Sequence, residues 1–212
     1  MLFVGDVHGK FYQYKTLIHG HKNTFQVGDF GMGFDERIDD ATKEWMKDLN
    51  QNNSHRFIRG NHDNVSICRD TPGYVPDGTY FEDTKIFAVG GAWSIDYLYR
   101  TEGKNWWADE EVSEEEFAVI FDKYVETKPE IMVTHDCPDS VATSLFFDSG
   151  LMNSHPKGDP MQYYTRTSDW LQKFFEAHQP RHWLFGHWHH TTGGTFEGTR
   201  FDCIGELDTI EL

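Results

Sequence analysis

The chain has 212 residues, 38% of them hydrophobic and 16% aromatic, which suffices for a globular core and excludes a disordered or low-complexity polypeptide. Its 19 basic and 35 acidic residues give a formal charge of -16, which disfavours long nucleic acid and anionic membrane surfaces as partners. The N-terminus MLFVGDVHG turns polar too early for a secretory signal and no run approaches a membrane span, while Cys68, Cys137 and Cys203 have no metal-like or disulfide-like spacing. The expectation is a cytoplasmic protein whose residues 1–212 form one domain, with the cysteines as small buried hydrophobes.

In chain order the elements alternate. LFV (2–4) and TFQV (24–27) read as strands, followed by a helix over 35–50 that spaces Ile38, Ala41, Trp45 and Leu49 on one face. RFI (56–58) and KIFAV (85–89) are further strands. A helix over 113–128 opens with Ser113 and Glu116 in capping-box register and turns Phe117, Ile120, Phe121 and Tyr124 inward. IMV (131–133) precedes a helix over 168–178 with Ser168 as its cap, and HWLF (182–185) and RFDCI (200–204) complete the strands. Strands alternating with helices define an α/β class.

Five of these strands run into turns of one character. LFV leads to Gly5-Asp6-Val7-His8, TFQV to Gly28-Asp29, RFIR to Gly60-Asn61-His62-Asp63, IMV to Thr134-His135, and HWLF to Gly186-His187-Trp188-His189. Ligands of open α/β sheets sit beyond the carboxyl ends of strands, so these turns are expected to converge. Imidazole and carboxylate donors suit manganese, iron or zinc. Asp6, His8, Asp29, Asn61, His135, His187 and His189 suffice for two divalent ions, whose charge would exceed that of the two carboxylates by about +2 and attract a phosphate.

Asp-x-His, Gly-Asp, Gly-Asn-His-Asp, a later His and Gly-His-x-His, spread over residues 5–189, resemble the calcineurin-like metallophosphoesterase superfamily, in particular its small prokaryotic and phage members that look like serine/threonine phosphatases. The resemblance implies a four-layer α/β/β/α sandwich with a dinuclear site at the C-terminal ends of the strands. It places Asp6, His8 and His189 on one ion and Asn61, His135 and His187 on the other, with Asp29 bridging; manganese is the first choice, with iron or zinc as alternatives. It implies a metal-dependent phosphoesterase that cleaves phosphomonoesters or small phosphodiesters by in-line attack of a metal-bridging hydroxide. The substrate would be a phosphorylated small molecule, a nucleotide or a phosphoprotein. A strand-like alternation would let His187 and His189 each face an ion.

His62, beside Asn61, is the candidate general acid. The phosphatase block Gly-Asp-x-x-Asp-Arg-Gly is replaced here by GDFGMGFDER, with Asp35 and Arg37 downstream, so Asp63 or Asp35 is expected to orient His62. Asn61, Arg59 and Arg100 are the candidate contacts to substrate phosphate, with a surface salt bridge as the equal alternative for Arg59. Trp93, Trp106 and Trp107 fill a core or lid, and residues 143–165 either gate the site or simply connect. His19, His21, His55, His155, His178, His182 and His190 are assigned solvated or hydrogen-bonded roles. A dinuclear amidohydrolase and a metal-binding protein without turnover are the competing readings.

Overall fold

Strand β1 (Leu2–Val4) shows how the layers arise: its side chains alternate between faces, sending Phe3 into one apolar cluster and Leu2 and Val4 into another. In the computed structural model, which describes residues 1–36, 40–152 and 165–212, β1 pairs in parallel with β2 (Asn23–Gln26), and β2 with β3 (Ser54–Phe57). Strand β10 (Thr209–Glu211) closes the other side of β1 antiparallel. The second sheet runs β4 (Thr79–Phe81), β5 (Ile86–Val89), β6 (Ile131–Thr134), β7 (His182–Phe185), β9 (Thr199–Cys203), β8 (Thr192–Phe196). Its four inner strands are parallel and its two outer ones antiparallel.

Between the sheets lie Phe3, Phe25, Ile86, Val133 and Leu184. The outer face of the first sheet is covered by α1 (Phe11–Leu17), α2 (Asp40–Leu49) and α3 (Val65–Arg69) through Tyr14, Met46 and Cys68. The outer face of the second is covered by α4 (Glu114–Thr127), α5 (Asp139–Ala142) and α6 (Arg166–Ala177), which pack Tyr124, Val141 and Phe174 against Met132 and Trp183. Both sheets are thus buried on two sides, which explains why their parallel strands read as continuous apolar runs. At about 1.5–3 kcal/mol per fully buried large side chain, these three clusters hold the strand ends in a fixed relation. The expected four layers are present.

Several local expectations change. Helix α6 starts at Arg166, capped by Thr165, and Ser168 is the third-position partner of that capping box rather than the cap. Helix α2 starts at Asp40 after a short 3-10 turn at Phe34–Glu36; Arg37 and Ile38 lie outside the described residues. Of the segment 143–165, Thr143–Asp148 forms a π-helical turn, while 153–164, including His155, lie outside the described residues. Strand β8 went unseen because two glycines dilute it. Its turn to β9 uses Glu197 and Gly198, both at positive φ (48° and 88°), a two-residue hairpin geometry that favours such residues. Cys68, Cys137 and Cys203 are buried thiols, and among the described residues no helix is long and apolar enough to cross a membrane.

Candidate metal centre

All five strand-end turns meet at one edge of the two sheets. Asp6 and His8 follow β1, Asp29 follows β2, Asn61 follows β3, His135 follows β6, and His187 and His189 follow β7. Val7 and His8 donate their N–H groups to the Asp29 carbonyl, both at 2.9 Å. His187 N–H donates to Asp6 Oδ1 (3.2 Å) and His62 N–H to Asp29 Oδ1 (2.8 Å). Glycine is required where the turns touch: a Cβ on Gly60 would collide with Asp29 Oδ1 and His135 Nε2, and one on Gly186 with Asp6 Oδ1. The stretch after β7 is a loop, not the expected strand-like alternation; His187 and His189 point inward because both adopt left-handed backbone, at φ 68° and 54°. His8 (49°) and Asp29 (54°) do the same, a conformation that costs a side-chain-bearing residue about 1–3 kcal/mol.

Two donor groups share Asp29. In the first, Asp6, His8, Asp29 and His189 place one ligand atom each within 4.8 Å of one another, with His189 Nε2 at 3.2 Å from Asp6 Oδ2 and 3.1 Å from His8 Nε2. Asp6 Oδ2 is buried and has no hydrogen-bond partner. In the second, Asn61 Oδ1 lies 3.2 Å from His135 Nε2 and 3.1 Å from His187 Nδ1, and Asp29 Oδ1 lies 3.2 Å from the same His135 nitrogen. His135 Nδ1 faces the Val27 carbonyl at 2.9 Å; with its proton committed there, neutral Nε2 presents a lone pair to two oxygen acceptors. A second proton or a metal ion must therefore fill the gap between them. Donors that sit about 2.0–2.2 Å from a transition ion are themselves roughly 3–4 Å apart, so the residues present fit metal ions.

Protonation follows the same geometry. Burial opposes ionisation of Asp29, yet His135, His62 and His8 hold its carboxyl well below the usual carboxylate range. Burial also disfavours the His135 cation, but Asp29 and Asp6 outweigh it and raise that imidazole to about 10. His189 is raised by Asp6, whereas burial lowers His187. The His135 proton therefore occupies a position that a metal would take in its place.

His62 is held on three sides. Phe34 stacks on it at 4.5 Å and 7°, His8 meets it edge-on at 4.8 Å, and Arg100 Nη2 lies 2.6 Å from its Nε2. Burial, aided by Arg100, lowers its pKa to about 4. The expected orienting carboxylates are elsewhere. Asp63 accepts four backbone N–H groups, from Phe30 (3.1 Å), Gly31, Met32 and Gly60 (each 2.7 Å), and so ties the loop after β2 to the loop after β3. Asp35 accepts from Asn105 at 3.1 Å. Arg59 is also differently engaged: buried at 3% exposure, it pairs with Asp77 (2.9 Å) and donates to the carbonyls of Asp109 (2.8 Å) and Glu110 (2.6 Å). Arg100 remains beside the site, bonded to Ser94 Oγ (2.9 Å) and paired with Asp96 (2.7 Å). Trp107 is buried, 6.2 Å from Phe34.

Sequence reading missed Phe34, Ser94, Glu110 and Glu206. Ser94 follows the apolar run of β5, so the rule that found the other turns would have found it had hydroxyls been counted. A cavity of about 300 Å³, lined by His8, Gly31, Phe34, His62, His189 and Glu206, opens directly over the first donor group. Lys10 pairs with Glu206 at this cavity.

Two sheets between helical layers, with an Asp/His cluster at their strand ends under an open cavity, fit a metallohydrolase. The chain belongs to the calcineurin-like phosphoesterase family, whose model matches residues 1–191, and it is accordingly a hydrolase acting on phosphoester bonds. No protein of curated function matches the sequence significantly. Among solved structures, the fold is similar to a protein from Staphylococcus aureus assigned as a 5'-nucleotidase (TM-score 0.51, 12% identity, 95% of this chain and 43% of that one). It is also similar to GAP50, the anchor in the inner membrane complex of Plasmodium (TM-score 0.50, 12% identity, 97% and 71%). A phosphopantetheinyl hydrolase from Mycobacterium tuberculosis matches with TM-score 0.49 and 16% identity over 97% and 89%.

Proposed function

We propose that the protein is a dinuclear phosphoesterase acting on phosphomonoesters or small phosphodiesters, with residues 1–212 as one catalytic domain. The observation that carries this reading is the division of Asp29: Oδ2 lies 3.9 Å from His8 Nδ1, while Oδ1 lies 3.2 Å from His135 Nε2. One carboxylate thus faces both donor groups. Asp6, His8 and His189 would hold one divalent ion and Asn61, His135 and His187 the other, with manganese preferred and iron or zinc as alternatives. Bound there, two such ions supply Lewis-acid charge for the phosphoryl oxygens and lower the pKa of water.

The chain's own residues supply the rest. Phe34 and His8 fix the ring plane of His62 at the cavity wall. While Nε2 accepts from Arg100 the imidazole is neutral and has no proton to give from that atom. A substrate phosphate offers Arg100 stronger, bidentate acceptors. In our reading Arg100 turns to the phosphate and frees His62 Nε2, which takes up a proton from solvent and passes it to the leaving oxygen. The 300 Å³ cavity favours a phosphorylated small molecule or nucleotide, or one phosphorylated side chain of a protein.

Asp29→Ala tests the reading. Elemental analysis of the wild type after manganese loading should find two ions per chain, and the variant should lose at least one together with phosphatase activity on a panel of mono- and diesters. Retention of two ions by the variant would refute the bridge.

A further inference from the structure

Ser94 is fully buried in the loop after β5, at the centre of a polar network in which the chemistry above gives no role to Ser94 or to Glu110. Its N–H donates to Glu110 Oε1 at 2.8 Å and its hydroxyl donates to Glu110 Oε2. Glu110 is itself 3% exposed; burial pushes its carboxyl up, and the two Ser94 donors act against that. With both Glu110 oxygens accepting from Ser94, the hydroxyl hydrogen is committed and Ser94 Oγ offers lone pairs alone to its other neighbours. Two donors fill them, Asn61 Nδ2 at 3.1 Å and Arg100 Nη1 at 2.9 Å.

An amide has a donor end and an acceptor end of equal size. Holding Nδ2 against Ser94 turns Oδ1 toward His135 Nε2 and His187 Nδ1. A half-turn of the same side chain would fit the same space and present an NH₂ group, which cannot ligate a cation, to those nitrogens. Packing cannot discriminate between the two orientations; the direction of the Ser94 hydroxyl can.

From this network we infer that Ser94 and Glu110 are positioning residues: Glu110 fixes the hydroxyl of Ser94, Ser94 selects the Asn61 orientation whose oxygen faces the second cation position, and the same oxygen braces Arg100 beside His62. The inference rests on the two-cation reading. It assigns residues outside the donor set to the assembly of one particular position.

Calorimetric titration of the metal-free full chain with manganese tests it, with the electron paramagnetic resonance signal of a coupled manganese pair as second readout. Glu110→Gln keeps shape and volume but can donate from its amide, which releases the Ser94 hydrogen toward Asn61. Glu110→Gln and Ser94→Ala are expected to bind the first ion as the wild type does and the second about 10–100-fold more weakly, with loss of the pair signal. Ser94→Thr, which keeps the hydroxyl, is expected to retain it. Unchanged circular dichroism and melting of Glu110→Gln separate this effect from misfolding. Two ions at wild-type affinity in both variants would overturn the inference while leaving the two-cation reading intact. A wild type that takes up a single ion would sink both.

Discussion

His62 and Asp63 are neighbours in the chain with opposite fates. The imidazole of His62 faces the cavity between Phe34 and His8, whereas the Asp63 carboxylate turns back to accept four backbone N–H groups. If His62 protonates the leaving oxygen, its loss matters in proportion to how much that oxygen needs a proton. His62→Ala is expected to lower turnover of alkyl phosphates by about 10²–10⁴-fold and of activated aryl phosphates far less, with metal content unchanged. An equal loss on both substrate types would remove it as the acid. The convergence of the candidate donors was legible because each follows an apolar run at a strand end, a pattern that local sequence displays. The occupations of Asp63 and Arg59 were not, because what a carboxylate accepts or a guanidinium pairs with depends on loops brought near from elsewhere. Arg59, open in the sequence between a phosphate contact and a salt bridge, braces Asp77 and two carbonyls and is buried rather than at the surface.

Among the elements, α4 was the most readable. Its capping box is present as the sequence indicates, with Ser113 accepting from Glu116 N–H and Glu116 accepting from Ser113 N–H, and its inward Phe117 stacks on Trp170 of α6 at 4.5 Å and 12°. Ser113→Ala is expected to cost about 1 kcal/mol in urea unfolding without altering metal uptake, since α4 covers the outer face of the second sheet, away from the strand ends. Short elements were harder to read. Strand β10 has three residues and β4 has three, too few for periodicity, and both exist because neighbouring strands offer them hydrogen bonds. The π-helical turn Thr143–Asp148 was likewise hidden, although it matters to the site. Its Phe146 stacks on Trp188 at 4.3 Å and 5°, and Trp188 Nε1 donates to Asp136 Oδ1 at 2.9 Å, so the loop carrying His187 and His189 is clamped from outside.

At the scale of the whole molecule, a chain of formal charge -16 surrounds the candidate metal centre, and stability responds to acid also through groups far from it. His55, on β3 of the first sheet, is buried with Nδ1 2.9 Å from Thr24 Oγ1. Burial, with His21 nearby, lowers its pKa in the folded state. The unfolded chain therefore takes up this proton first as pH falls, so the contribution of neutral His55 is complete above about pH 6.5 and declines below it. The stability advantage of the wild type over His55→Gln should narrow as the pH is lowered from about 7.5 to 5, measured by chemical unfolding of the metal-loaded forms. A gap that stays constant would contradict the assignment. The two-layered sheet arrangement itself was inferable from the family resemblance and the doubly apolar strands; the pairing order at the sheet edges was not, because antiparallel additions such as β8 carry little apolar signal.

Four of the donor residues, His8, Asp29, His187 and His189, bend through left-handed backbone, a region in which glycine alone is at ease. A chain optimised only to fold would put glycine at each, so chemistry and robustness compete for the same positions. Metal-free His187→Gly should accordingly melt above metal-free His187→Ala, by about 2–4 °C for a difference near 1 kcal/mol, although both lack the imidazole. The turn that makes the centre possible is a sprung one, and its tension is released when the ligand is given up for a hydrogen atom.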